Sequence, residues 1–137
     1  MSDEHFVEGD DVSTQQFDWG TLKWMASPEV NGSERLSAGV VQLDPGDGHD
    51  LHTHPESDEI LYVLAGEGEQ TVAGDTREVG AGEMIYVPEG VEHGTRNTGW
   101  ETLKLLAVYV PPGPEAELAE MPGCTVLPPG EIPTRDD

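Results

Sequence analysis

From Gln15 onward the chain runs in short segments rich in apolar or β-branched residues, each closed by Gly, Pro, Asn or Asp. That rhythm predicts strands at Phe17 to Met25, Leu36 to Leu43, Asp50 to His54, Glu59 to Ala65, Gln70 to Ala73, Thr76 to Val79, Met84 to Val87, His93 to Asn97 and Glu101 to Val110. The turns between them carry glycine or proline, as in Pro45-Gly46-Asp47-Gly48, Gly66-Glu67-Gly68, Gly80-Ala81-Gly82 and Pro88-Glu89-Gly90. Strands this short at near-regular spacing indicate an all-β antiparallel sandwich or barrel. Helix is confined to Glu115 to Met121, between Pro114 and Pro122.

The two ends differ from this middle. Residues 1–14 hold Glu4, Glu8, Asp10 and Asp11 with almost nothing to bury, and read as a mobile acidic arm. Residues 111–137 carry Pro111, Pro112, Pro114, Pro122, Pro128, Pro129 and Pro133 of the chain's 11 prolines, and read as an extended tail packing on a barrel formed by residues 15–110. A length of 137 residues suits one domain.

Charge narrows the partners. Six Lys and Arg stand against 28 Asp and Glu, a formal net charge of −22. The basic residues, Lys23, Arg35, Arg77, Arg96, Lys104 and Arg135, are scattered singly, so nucleic acid and anionic membrane surfaces are excluded as partners. No apolar run approaches the ~20 residues of a membrane helix. Met1 to Asp10 is acidic where a leader would be basic and then apolar, so the expected location is the cytoplasm. With 35% apolar and only 25% charged residues the chain reads as folded rather than disordered. An acidic skin with almost no lysine resembles proteins from organisms with molar salt in the cytoplasm. Cys124 has no partner for a disulfide or a thiol-rich metal site.

The candidate chemistry lies in the histidines. His52 and His54 are two apart, so on a strand both leave the same face. Glu59 follows across the Pro55-Glu56-Ser57-Asp58 turn, and His93 stands on a later strand. Three neutral imidazoles and a carboxylate suit Mn²⁺, Fe²⁺, Co²⁺, Ni²⁺, Cu²⁺ or Zn²⁺ without choosing among them. By parity His49 belongs on the opposite face, at the barrel rim and unbound. Glu56 and Asp58 read as surface-turn acids. Of the strand aromatics Phe17, Trp19, Trp24, Tyr62, Tyr86 and Tyr109, most read as core or dimer contacts, and Tyr86 is the candidate proton donor near a metal. Arg96 alternates away from His93, as a solvated residue.

The spacing of these residues resembles the cupin superfamily. Its first motif is matched by Gly46, five residues, His52-Thr53-His54, four residues, Glu59, six residues, Gly66. Its second is matched by Gly82, five residues, Pro88, one residue, Gly90, two residues, His93, three residues, Asn97. The resemblance implies a single-domain jelly-roll β-barrel, commonly a homodimer. It also implies one divalent metal held by His52, His54, Glu59 and His93, with Gly46, Gly66, Gly82, Pro88, Gly90 and Asn97 shaping the turns. Such a site leaves coordination positions for a small-molecule ligand. The leading expectation is an enzyme acting on a small oxygen-rich metabolite, a dioxygenase or a Lewis-acid isomerase, lyase or decarboxylase. The alternatives are a non-catalytic small-ligand or sugar-binding sensor and a storage or structural protein.

Overall fold

The computed structural model describes residues 5–134; Met1 to Glu4 of the acidic arm and Arg135 to Asp137 of the tail lie outside the described residues. The order of elements is β1 (Thr14–Phe17), β2 (Gly20–Ala26), α1 (Pro28–Asn31), β3 (Ser37–Leu43), β4 (Asp58–Ala65), β5 (Glu67–Val72), β6 (Asp75–Gly80), β7 (Met84–Val87), β8 (His93–Asn97), β9 (Leu103–Val110), α2 (Pro114–Ala119) and β10 (Thr125–Leu127). The strands form two antiparallel sheets, one ordered β10-β1-β2-β3-β9-β4-β7 and one ordered β6-β5-β8. This is the all-β antiparallel architecture that the turn rhythm implied, in the jelly-roll form that the resemblance implied.

Strict alternation builds the interior. Along β9, Leu103, Leu105, Ala107 and Tyr109 are buried, and along β4, Glu59, Leu61 and Val63 are buried. These meet Leu22, Trp24, Val41 and Leu43 in one core. Each fully buried leucine contributes roughly 1.5–3 kcal/mol. The placement of Glu59 is therefore unusual: a carboxylate occupies an inward position of an otherwise apolar strand, and its cross-strand partners are Tyr109 on β9 and Val87 on β7.

Several expected elements take a different form. The single strand expected over Phe17 to Met25 is two strands, split by a turn at Asp18 and Trp19. Gly20 makes this hairpin feasible, because any Cβ there would lie 1.8 Å from the Gln42 carbonyl oxygen. The segment Asp50 to His54 is not a strand. It touches β8 through one isolated bridge, His52 to His93, with a second from Gly48 to Arg96 just before it, and is otherwise irregular. The expected helix shifts slightly, to Pro114–Ala119, and the one-turn helix α1 is additional, capped by the Ser27 hydroxyl accepting from the Val30 N–H at 3.1 Å.

Among the described residues, both flanks contact the sheets. Gly9–Asp11 forms a 3₁₀ turn, Val12 is buried, and the Lys23 ammonium donates to the carbonyls of Gly9 (2.8 Å) and Val12 (3.3 Å). In the tail, β10 pairs with β1 from Thr14 opposite Leu127 to Gln16 opposite Thr125. Leu118 of α2 reaches the core. Asn97 ties the ends of the strands together. Its amide donates to the carbonyls of Leu43 (2.9 Å) and Glu101 (2.8 Å), and its side-chain oxygen accepts from the Gly99 N–H at 2.8 Å.

Candidate metal centre

The loop before β4 and the start of β8 face each other across a two-way backbone bridge. His52 N–H donates to the His93 carbonyl and His93 N–H donates to the His52 carbonyl, both at 2.9 Å. The bridge sets the two imidazoles side by side, with ring centroids 4.2 Å apart. His54 follows two residues on, its carbonyl accepting from Gly90 N–H at 2.9 Å, so the glycine turn before β8 also positions the third imidazole. Glu59 enters from β4. The ligand atoms of His52, His54, Glu59 and His93 all lie within 4.8 Å of one another.

Backbone carbonyls orient two of the rings. His52 Nδ1 lies 2.6 Å from the Asp50 carbonyl oxygen, and His93 Nδ1 lies 2.9 Å from that of Val91. A carbonyl can only accept, so each Nδ1 carries the proton, and in the neutral ring each Nε2 presents a lone pair. His93 Nε2 then faces Glu59 Oε1 at 2.8 Å, and His54 Nε2 stands 3.6 Å from the same oxygen. Those three atoms, His54 Nε2, Glu59 Oε1 and His93 Nε2, are buried without a hydrogen-bond partner. Acceptors crowded together in a buried space repel one another unless a proton or a cation sits between them. A divalent metal satisfies all of them at once, and the residues present fit one.

The titration of the site agrees with that demand. Burial pushes His52 down to about 3, helped by neighbouring His49, and burial likewise lowers His54 and His49. These rings are neutral at ordinary pH, the form that binds metal. His93 moves the other way. Burial lowers it, but the Glu59 carboxylate and the Val91 carbonyl outweigh burial and raise it, as expected where a proton substitutes for a cation.

The structure brings together the four expected ligands and relocates three other residues. Tyr86 is more than half exposed on the outer face of β7, because Ile85 and Val87 take the inward positions, and it does not approach the ligands. Tyr109 takes the inner place instead. It sits across from Glu59 with its buried phenol close enough for the carboxylate to perturb it, and packs its ring edge against His54 at 4.9 Å. Burial, with Glu59 and Glu115 adding to it, raises Tyr109 well above the usual phenol range. His49 is not on the opposite face: its ring lies 4.0 Å from His52 and lines the same cavity, since the irregular chain between them does not keep strand parity. It stays outside the ligand group. Glu56 is exposed and Asp58 accepts from the Glu89 N–H, so neither competes with Glu59. Arg96 is exposed and donates to the Gly46 carbonyl. Gly46, Gly66, Gly82 and Gly90 all have φ between 76° and 93°, the left-handed region that favours glycine.

The cavity beside the centre measures about 40 Å³; His52, Glu59 and His93 of the four line it, with Trp19, Leu22, Val41, Leu43, Leu61, Leu105 and Leu118 as walls and His49, Thr95 and Tyr109 as its other polar members. That volume holds about three waters. A larger cavity of about 560 Å³, bordered by β1, β2 and α2, contains none of these ligands. There Trp24 Nε1 donates to Gln15, and Gln15 donates to the Glu115 carbonyl, so its polar groups already satisfy one another.

Comparison with known proteins places this geometry. A family model for the Cupin domain matches residues 39–109. Among curated proteins, Protein SchB of Streptomyces halstedii is 29% identical over 115 residues, 84% of this chain and 83% of that protein. Among solved structures, an RmlC-like cupin from Shewanella frigidimarina superposes with a TM-score of 0.71 at 23% identity, covering 85% of this chain and 99% of its own. A structure described as a predicted oxalate decarboxylase from Thermotoga maritima superposes with a TM-score of 0.67 at 25% identity, covering 78% and 99%. Among the described residues no helix is long and apolar enough to cross a membrane.

Proposed function

The chain belongs to the cupin family, and from that premise we propose that it is a mononuclear divalent-metal enzyme that acts on a small metal-chelating molecule. The observation that carries this reading is the set of orphaned buried acceptors on His54, Glu59 and His93, joined by His52. Four protein ligands from a six-coordinate ion leave about two positions for an exchangeable ligand. The metal would supply Lewis acidity, or with a redox-active ion a site for oxygen chemistry.

The chain's own residues do the rest. His52 and His93 are held in one tautomer by the Asp50 and Val91 carbonyls. Tyr109, paired across the strands with Glu59, sets its phenol beside the carboxylate as a positioning group. The leucine walls exclude water, which strengthens polar interactions inside. A non-catalytic ligand-binding protein is the second reading, because the Thr95 hydroxyl of the cavity is already engaged with Gln70. His49 remains as the one uncommitted acid-base group among the described lining residues. A homodimer is the expected assembly, supported by the apolar outer face of β4 and β7, where Met84 and Tyr86 are exposed.

The test is a screen of diketones, thiol carboxylates, sugar acids and oxalate-like diacids with metal-loaded protein under air and under nitrogen. Turnover in either atmosphere supports the enzyme, and dependence on air assigns it to oxygenases. Tight binding without turnover of any class shifts the function to the binding protein.

A further inference from the structure

The cavity beside the four candidate ligands has a distinct wall and entrance. Of its lining residues only Trp19, His49 and His52 are partly exposed, so these three form the entrance. The entrance is aromatic throughout. Phe17 and Trp19 stack at 4.6 Å with planes 9° apart, Trp19 and His49 lie 5.0 Å apart, and His49 and His52 lie 4.0 Å apart. A continuous aromatic wall thus leads from the core to a metal ligand.

No cation reaches this space among the described residues. Lys23 is held by the Gly9 and Val12 carbonyls, Arg77 pairs with Asp75 on the surface, and Arg96 donates to Gly46. Arg35 and Lys104 are exposed, and none of the five lines the cavity. With a divalent ion bound, the charge inside would be that ion and one carboxylate, a net of one positive charge. A singly ionised chelator brings the cavity to neutrality. A dianion leaves an uncompensated negative charge against leucine walls in a protein that already carries −22, a placement that burial strongly disfavours.

We propose that this site takes a planar, conjugated chelator that binds through two oxygens as a neutral molecule or a monoanion, with an apolar body, and that it rejects small dianionic acids. The proposal rests on the metal-centre reading above and narrows its ligand. With room for about three waters, the cavity admits the chelating head while the body lies along Trp19 and His49.

The experiment uses the full chain loaded with Ni²⁺, its metal content fixed first by elemental analysis. Affinities for acetylacetone and for oxalate are measured by titration calorimetry on the protein and on Ni²⁺ free in solution. The ratio of acetylacetone to oxalate affinity should be at least about tenfold higher on the protein than on the free ion. Trp19→Arg and, independently, His49→Lys each place a cation at the entrance without replacing a metal ligand, Trp19→Arg being the one that also leaves the packing against His52 intact. Each should narrow that ratio about tenfold with metal content unchanged. A ratio on the protein equal to or below that of the free ion overturns the ligand class while the metal centre stands. Protein that takes up no Ni²⁺ overturns the metal centre and the ligand class with it, a result read before any ligand is added.

Discussion

Removing one oxygen atom from Tyr109 tests how the carboxylate ligand is held. Tyr109→Phe keeps the ring that packs against Trp24 at 5.5 Å and His54 at 4.9 Å, so the core loses no volume of consequence. What disappears is the buried hydroxyl beside the Glu59 carboxylate, the donor this prediction assigns to it. Tyr109 is 5% exposed and Glu59 4%, so water does not readily replace that donor. A hydrogen bond to a charged acceptor contributes about 1.5–3 kcal/mol, which corresponds to roughly tenfold to a hundredfold in an equilibrium constant. Loss of an outer partner of a metal ligand costs about the same factor in metal affinity, so two independent routes give one magnitude. The assay is competition with a chromophoric chelator at fixed pH, read as a dissociation constant, with circular dichroism to confirm the fold. Tyr62→Phe, on β4 but outside the cavity lining, is the control and should leave affinity unchanged. Metal affinity of Tyr109→Phe within about threefold of the parent chain would refute the positioning role, since the expected loss is at least about tenfold.

Asn97→Ala removes three hydrogen bonds and strands the buried Leu43 carbonyl, a loss of about 3 kcal/mol that lowers the melting temperature by roughly 10 °C in calorimetry. Gly66→Ala meets both a φ of 87° and a Cβ 2.6 Å from the Thr102 carbonyl oxygen, so it also destabilises, read as a lower denaturant midpoint. Thermal melting from dilute buffer to molar KCl should rise throughout, because screening lengths shrink from about 10 Å at 0.1 M to about 3 Å at 1 M and relieve the repulsion among charges summing to −22; a flat or falling profile removes that account of the acidity.

The site was legible from sequence wherever spacing alone decided it. The intervals from Gly46 to Gly66 and from Gly82 to Asn97 set turns whose glycines take left-handed backbone, and the resemblance they carry leads to His52, His54, Glu59 and His93 as one group. Parity failed where a strand was assumed and none formed. Around His49 the chain holds only isolated bridges, at Gly48 and His52, so counting residues assigns His49 to the wrong side. The choice of Tyr86 over Tyr109 had another origin. Each tyrosine alternates correctly within its own strand, but which face points inward is decided by pairing Tyr109 with Glu59, 50 positions away in sequence. Long-range pairing also hid β10, whose short Thr125–Leu127 segment lies in proline-rich sequence and finds its partner at Thr14 to Gln16. The hairpin at Asp18 and Trp19 escaped because its enabling glycine follows an aromatic residue rather than the usual Asn or Asp.

Elemental analysis of purified protein tests the metal centre most directly, comparing the parent chain with His52→Ala, Glu59→Ala, His93→Ala and His49→Ala. One equivalent of divalent metal per chain is expected in the parent and in His49→Ala, with stoichiometric binding lost in the other three. A full equivalent retained by His52→Ala and His93→Ala would contradict the assignment of this site.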